Sequence, residues 1–274
     1  MRRKNRTKRI LLALLSIGFA LMLMISLTMV ASTVLESQQG IRVYDALAEH
    51  VVFAPPPNLE TQEREPTPEG VPEGGAEGGQ EGGAYVPAVH FPTVDFGALL
   101  EINPNIVAWL VLENTIINYP VVHWTDNDRY LHHLFDGTRN AAGTLFVDYR
   151  NQRGFVDKHT IIHGHNMRDG SMFALLESYR SQAFFEEHPQ FLLITPEGDY
   201  VIEIFAGFVA GVWEDSWMIG FHSYSEFDEW IRASRERSDF TSDVAVSGRD
   251  QVITMSTCFD HYRYVLLGKL VPVD

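Results

Sequence analysis

Apolar and polar positions divide the chain into three parts. The first is an unbroken run of 22 residues without a charged side chain, Ile10 to Ala31. At about 1.5 Å per residue it is long enough to cross the roughly 30 Å hydrocarbon core of a bilayer as a helix. Residues 32–53 mix Leu, Val and Tyr with polar residues and read as a short helical continuation. Between Ala54 and Pro92 the pattern disappears. A Pro55-Pro56-Pro57 run gives way to repeats such as Glu73-Gly74-Gly75-Ala76-Glu77-Gly78-Gly79. This stretch is too poor in apolar residues to offset the entropy of ordering a backbone, and its like charges repel, so a flexible tether is expected over 54–93.

Periodicity returns at Val94. Asp95 caps a short helix carrying Phe96, Leu99 and Leu100, which Asn103-Pro104 ends. Ile106–Leu112 and Ile116–Val122 are strand-like on either side of a turn at Glu113-Asn114-Thr115. Asn127–Phe135 has helical spacing, Thr144–Tyr149 and Thr160–His163 have strand spacing, and Ser171–Tyr179 and Gln182–His188 read as short helices. Gln190–Thr195, Tyr200–Val212, Gln251–Ser256 and Tyr262–Val271 alternate or run apolar as strands do, interrupted by a helix at Glu226–Arg237 with Phe227, Trp230 and Ile231 at helical spacing. Strands outnumber helices and most connections are short. The predicted fold is therefore mainly β, a closed barrel of about eight strands with inserted short helices, preceded by an N-terminal transmembrane helix. No internal repeat is present.

Charge gives the apolar run a direction. Arg2, Arg3, Lys4, Arg6, Lys8 and Arg9 precede it without one acid, which by the positive-inside rule places residues 1–9 in the cytoplasm and everything after residue 31 outside. The run exceeds the roughly 7–15 apolar residues of a cleaved signal peptide, which favours an uncleaved anchor at 10–31, although Ala31-Ser32-Thr33 leaves a cleavage-like sequence behind it. The expected organisation is thus a basic segment (1–9), an anchor (10–31), an extracellular stalk (32–93) and a folded domain (94–274). Over the whole 274 residues, 36 Asp and Glu face 21 Lys and Arg, a formal net charge of −15. That balance argues against nucleic acid, whose phosphates need clustered cations.

The single cysteine, Cys258, excludes an intramolecular disulfide and a Cys-rich zinc site. A free thiol outside the membrane is exposed to oxidation, so its retention points to chemistry, though free cysteines also serve as small buried apolar residues. Cys258 ends the strand-like Ile253-Thr254-Met255-Ser256-Thr257-Cys258. A catalytic thiol needs a proton partner and a cation or amides for the oxyanion. Among 11 histidines, the segment Thr160-Ile161-Ile162-His163-Gly164-His165-Asn166-Met167 ends a strand in Gly-His-Asn, where the glycine permits a sharp exit. His163 and His165 share a strand face, which also opens a metal reading that lacks a third ligand beyond scattered candidates such as His222 or His261. Arg263, five residues after Cys258, offers either a guanidinium fork for an oxyanion or an ordinary surface charge.

Taken together, Ile-Ile-His-Gly-His-Asn-Met, Thr-Met-Ser-Thr-Cys and Arg-Tyr-Val behind a membrane anchor resemble the sortases, cysteine transpeptidases of Gram-positive bacteria, and most closely class B. Asn103-Pro104-Asn105-Ile106-Val107-Ala108-Trp109 is similar to that class's approach to the first strand. Tyr119-Pro120-Val121-Val122, Asp126-Asn127-Asp128-Arg129-Tyr130-Leu131 and Gly143-Thr144-Leu145-Phe146-Val147-Asp148 follow in the family's order, and the helix between the sixth and seventh strands matches a class B insertion. The resemblance covers about Asp95 to Val271. Ala108 stands where Gly is usual, Met255 where Leu is commoner, His163 where relatives often carry an aromatic, and the loop from Cys258 to Arg263 is short.

The resemblance implies Cys258 as nucleophile, His165 as its proton partner and Arg263 as the cation for oxyanion and substrate, with Ser256, Thr257 and Asn166 lining the substrate pocket. It further implies cleavage of a C-terminal sorting motif after Thr, a thioacyl enzyme, and transfer to an amino group of a peptidoglycan precursor or a pilin lysine, with no cofactor, metal or calcium. A pilin-polymerising sortase and an inactive anchored peptide-binding module are the alternatives. A papain-like hydrolase would carry its Cys before its His, and a caspase-like one its Gln-Ala-Cys signature; neither holds here.

Overall fold

The computed structural model of the chain describes residues 2–53, 90–211, 213–258 and 262–273. The long helix α1 (Arg2–Ala48) runs without a break from the basic segment through the apolar run. Its most apolar 18-residue stretch has a mean hydropathy of 2.3 and is not buried, so α1 is long and apolar enough to span a membrane. The helical continuation expected over 32–53 is part of this same helix as far as Ala48, beyond which Val51 and Val52 are extended instead. A small antiparallel pair follows, β1 (Val51–Val52) with β2 (Thr93–Val94). The tether expected over 54–93 falls mainly outside the described residues.

Helix α2 (Phe96–Ile102) begins as predicted, with the Asp95 carboxylate accepting from the Ala98 amide at 3.0 Å, and buries Leu99. The barrel strands are β3 (Ile106–Val111), β4 (Asn118–His123), β5 (Leu145–Val147), β6 (His159–His165), β7 (Gln190–Ile194), β8 (Asp199–Gly211), β9 (Gln251–Cys258) and β10 (Tyr262–Pro272). They close in the order β10-β8-β7-β3-β4-β5-β6-β9. Neighbours are antiparallel except β4 with β5 and β6 with β9. Fully buried Trp109 anchors the first hairpin, its indole N–H donating to Asn118 Oδ1 at 2.6 Å. Helix α3 (Gln182–Glu187) precedes β7, and α4 (Tyr224–Glu236) lies between the sixth and seventh barrel strands.

Two elements differ from the periodicity. Asn127–Phe135, predicted helical, forms only a 3-10 turn at Arg129–Leu131. Polar side chains there compete with helical hydrogen bonds: Asp126 Oδ1 accepts from the amides of Asp128 and Arg129, both at 2.8 Å, and Asn127 reaches across to Asp148 and to the Tyr149 amide. Ser171–Tyr179 is likewise 3-10 in character, over Ala174–Arg180.

The barrel wall has two faces. Ile162, Ile253, Met255, Tyr264 and Leu266 belong to the interior core. Val252, Val265 and Leu267 belong to a second cluster with Phe227 and Ile231 of α4. Helix α4 therefore covers part of the outer face of β8, β9 and β10.

Candidate active site

Strands alternate their side chains between faces, so His159, Ile161, His163 and His165 fall on one face of β6. Parallel pairing sets His163 opposite Ser256, Gly164 opposite Thr257 and His165 opposite Cys258. On the other edge of β9, Val265 pairs with Ser256, and β10 starts at Tyr262-Arg263 beside the Cys258 end. Arg263 shares its face with Val265 and Leu267, the outer one. The positions of His165, Cys258 and Arg263 thus meet on three adjacent strands at one end of the outer wall, beyond the part under α4.

Gly164 does not end the strand as a turn residue; β6 continues through it. A Cβ there would come within 2.5 Å of Leu145 Cδ2 and 2.6 Å of Phe173 Cδ2. The glycine is needed for close approach, so that β5 and the segment after His165 can pack against the same point. The amide of Phe173 returns to the His165 carbonyl at 2.9 Å, closing the loop 166–172.

The ring of His165 is half-buried, and its Nε2 donates to the Leu131 carbonyl at 2.8 Å. A carbonyl only accepts, so Nε2 carries the proton and Nδ1 is the nitrogen left to exchange one. Burial, the largest influence, pushes its pKa below the usual 6.5; the Leu131 carbonyl works the other way, and the charges of His132 and Arg263 add to the depression. Arg263 donates from Nη1 to the Tyr262 carbonyl at 2.9 Å.

Of the other predicted site residues, Ser256 and Thr257 are buried, and neither hydroxyl has a hydrogen-bond partner among the described residues. Ser256 has the outward parity of Val265, Thr257 the inward parity of Met255. Asn166 donates from Nδ2 to Glu177 Oε1 at 2.6 Å. His163, two residues before His165, is engaged with Asp148, its Nε2 lying 3.0 Å from Oδ2. Among the described residues no three His, Cys, Asp or Glu side chains converge as a metal site.

A network that no motif announced supports this face. Asp148 has a side chain only 2% exposed. Its oxygens accept from Arg150 Nε and Nη2 at 2.8 and 3.0 Å and from Asn127 Nδ2 at 3.0 Å, besides the contact with His163. Burial opposes ionisation of Asp148, but the hydrogen bonds from His163 and Arg150 outweigh it and hold the carboxyl well below its usual range. Arg150 Nη2 also donates to the Trp217 carbonyl at 3.2 Å. The next carbonyl, Met218, accepts from Nδ1 of buried His159 at 2.6 Å, while His159 Nε2 accepts from Thr254 Oγ1 at 2.7 Å. Of two successive carbonyls of the segment joining β8 to α4, Trp217 is therefore fastened to Arg150 in the turn after β5, and Met218 to His159 on β6, the strand that carries His165. Beside that segment lies a cavity of about 440 Å³ whose walls include Phe208, Met218 and Trp230. The Leu131 carbonyl gives no sequence signal; an Asp-x-Arg pair just after a buried strand was the visible trace of the Asp148 hub.

No protein-family model matches the chain. A curated relative, sortase B of Listeria monocytogenes, is 41% identical over 180 residues, which cover 63% of this chain and 72% of the relative. The solved Staphylococcus aureus sortase B-substrate complex superposes with a TM-score of 0.63 at 30% identity, covering 65% of this chain and 85% of that one. A crystal structure of sortase B complexed with triglycine gives a TM-score of 0.64 at 29% identity, covering 65% and 86%. The closed eight-stranded barrel with a helix between its sixth and seventh strands, the Cys and His on adjacent paired strands, and this degree of identity lead to one conclusion: the chain belongs to the sortase B family and is a cysteine transpeptidase.

Proposed function

We propose that the chain is anchored by residues 10–31, with 1–9 in the cytoplasm and a catalytic domain at 94–274 outside, and that it joins surface proteins bearing a C-terminal sorting motif to an amino group of a cell-wall precursor. The pairing of His165 with Cys258 across β6 and β9, with Arg263 beside them on β10, is the observation that carries this reading. The thiolate of Cys258 attacks the carbonyl carbon of the motif's Thr. Arg263 faces the oxyanion, and the imidazolium of His165 gives its Nδ1 proton to the leaving amine as the C–N bond breaks, leaving a thioester. The acceptor amine then attacks the thioester, His165 takes its proton, and the thiolate leaves as the new amide forms. The thioester retains the energy of the cleaved peptide bond, so the exchange needs no nucleotide. The substrate and triglycine complexes of relatives support a peptide donor and an amine acceptor.

Mass spectrometry of the detergent-solubilised chain with a panel of sorting-motif peptides tests this. A peptide adduct on Cys258, with cleavage after Thr and none in Cys258→Ala, is expected. Hydrolysis or transfer that persists in Cys258→Ala would overturn the proposal.

The depressed pKa of His165 sets the pH dependence. The reactive form pairs a thiolate with an imidazolium, so the rate climbs with pH through the lower of the two pKa values and falls through the higher. Since His165 lies below 6.5, at neutral pH the reactive pair is a minority form, and the rising limb of kcat/KM is expected below 6.5. A rising limb above that value, or a flat profile, would exclude this pair.

A further inference from the structure

The Pro/Glu/Gly-rich stretch lies between anchor and barrel in sequence, yet its two ends are neighbours in space. Val51 pairs with Val94 and Val52 with Thr93, and the Asp95 amide donates to the His50 carbonyl at 2.9 Å. By that point α1 has already met the barrel. Ser37, Gly40, Tyr44 and Leu47 recur at the spacing of one helix face and are turned inward, the last three buried. Glu36 accepts from the Ala141 amide through Oε1 and from Asn140 Nδ2 through its backbone carbonyl, both at 2.8 Å. Ser37 Oγ donates to Asp169 Oδ2 at 2.7 Å. The Tyr44 hydroxyl donates to the Gly143 carbonyl, and its ring meets Tyr119 edge-on with centroids 5.2 Å apart.

We infer that the pairing on either side of 54–89, and not the length of that stretch, sets where the barrel sits relative to α1, and that α1 holds the barrel surface formed by the loops 139–142 and 166–172 against the lipid headgroup layer. The inference rests on the reading of 10–31 as a membrane span. Glu36 is five residues beyond Ala31, a rise of about 7–8 Å in an uninterrupted helix, while headgroups occupy about 5–8 Å on each side of the hydrocarbon core. Docking therefore starts at the outer margin of the headgroups. The loop 166–172 leaves from His165 and returns to it, and its Asp169 is the partner of Ser37. The His165 end of β6 is then one short loop from the lipid surface, where membrane-embedded substrates arrive. A free link of the length of 54–89 would instead give a root-mean-square reach of about 30–36 Å, with no defined height or orientation.

Excision also has a geometric basis. Joining Phe53 to His90 leaves Phe53, His90, Phe91 and Pro92 between the paired Val52 and Thr93, a four-residue hairpin loop of a common kind.

The experiment uses the full chain in phosphatidylcholine–phosphatidylglycerol vesicles containing a headgroup-nitroxide lipid. A fluorophore is attached at Arg168→Cys or, at the far end of the barrel beside β7, at Glu197→Cys, each in a Cys258→Ser background; both native residues are exposed. Strong quenching at 168 and weak quenching at 197 are expected, unchanged when 54–89 is excised. Inserting seven helix-forming residues after Ala31, two turns and about 10 Å, should at least halve the quenching at 168. Equal quenching at the two positions, loss of the contrast on excision, or indifference to the insertion would overturn the inference. A chain that does not float with the vesicles would overturn the span reading and this inference with it, and flotation alone distinguishes that failure from the others.

Discussion

Replacing His165 with alanine is expected to lower kcat for peptide cleavage and transfer by about 10²–10⁴-fold, the range that a positioned acid–base group contributes. The loss falls on kcat because, in the proposed mechanism, His165 moves a proton only as the C–N bond breaks or forms. The ring is held by the Leu131 carbonyl at 2.8 Å, which fixes the tautomer and leaves Nδ1 as the nitrogen that exchanges a proton. His165→Gln keeps a hydrogen-bond donor to Leu131 but supplies no titratable nitrogen. It should therefore be as slow as the alanine variant and should lose the rising limb below pH 6.5. Steady-state kinetics with an acylating peptide, together with iodoacetamide labelling of Cys258, checks this. A His165→Gln enzyme within tenfold of the native rate would remove His165 from the proton-transfer role.

Asp148→Ala is expected to destabilise the barrel by about 3 kcal/mol, the lower end of the cost of removing one partner from a buried charged pair. The lower end applies because Arg150 is 42% exposed and water can replace part of what it loses, whereas His163 is 16% exposed and Asn127 lies against the same carboxylate. The variant also takes from Arg150 the anchor from which it holds the Trp217 carbonyl of the segment joining β8 to α4. The pH dependence has a definite sign. The Asp148 pKa is depressed below its ordinary 3.8 in the folded chain, so its contribution is fully present above that value and is lost as the pH falls through and below it. Melting temperatures of native and Asp148→Asn chains should differ at pH 7 and converge toward pH 2. Urea unfolding at both pH values measures this; an unaltered midpoint for Asp148→Ala at pH 7 would show that the network contributes nothing.

Several features of the molecule were legible from short stretches of chain because the forces that set them act between near neighbours. The apolar run at 10–31 is helical, and its length and composition suffice to cross a membrane wherever it sits. Asp95 caps α2 through an amide three residues away, and Phe227 and Ile231 mark the buried face of α4. The order of the His, Cys and Arg motifs identified the chemistry and the family. Local pattern misled at Asn127–Phe135, where side chains of Asp126 and Asn127 had better partners than a helix provides. It also misassigned the reason for Gly164, which serves contacts with Leu145 and Phe173 from distant segments. What brings His165 to Cys258 is a parallel pairing of strands 93 positions apart in register, and no periodicity encodes such a partner choice. The Asp148 hub, the Leu131 carbonyl and the seat of Tyr44 on the barrel have the same origin. The sequence alone therefore determined the elements and the reagents. Barrel closure decided which of them touch, because side-chain and backbone polar groups far apart in the chain can satisfy one another only after the strands between them have taken their places.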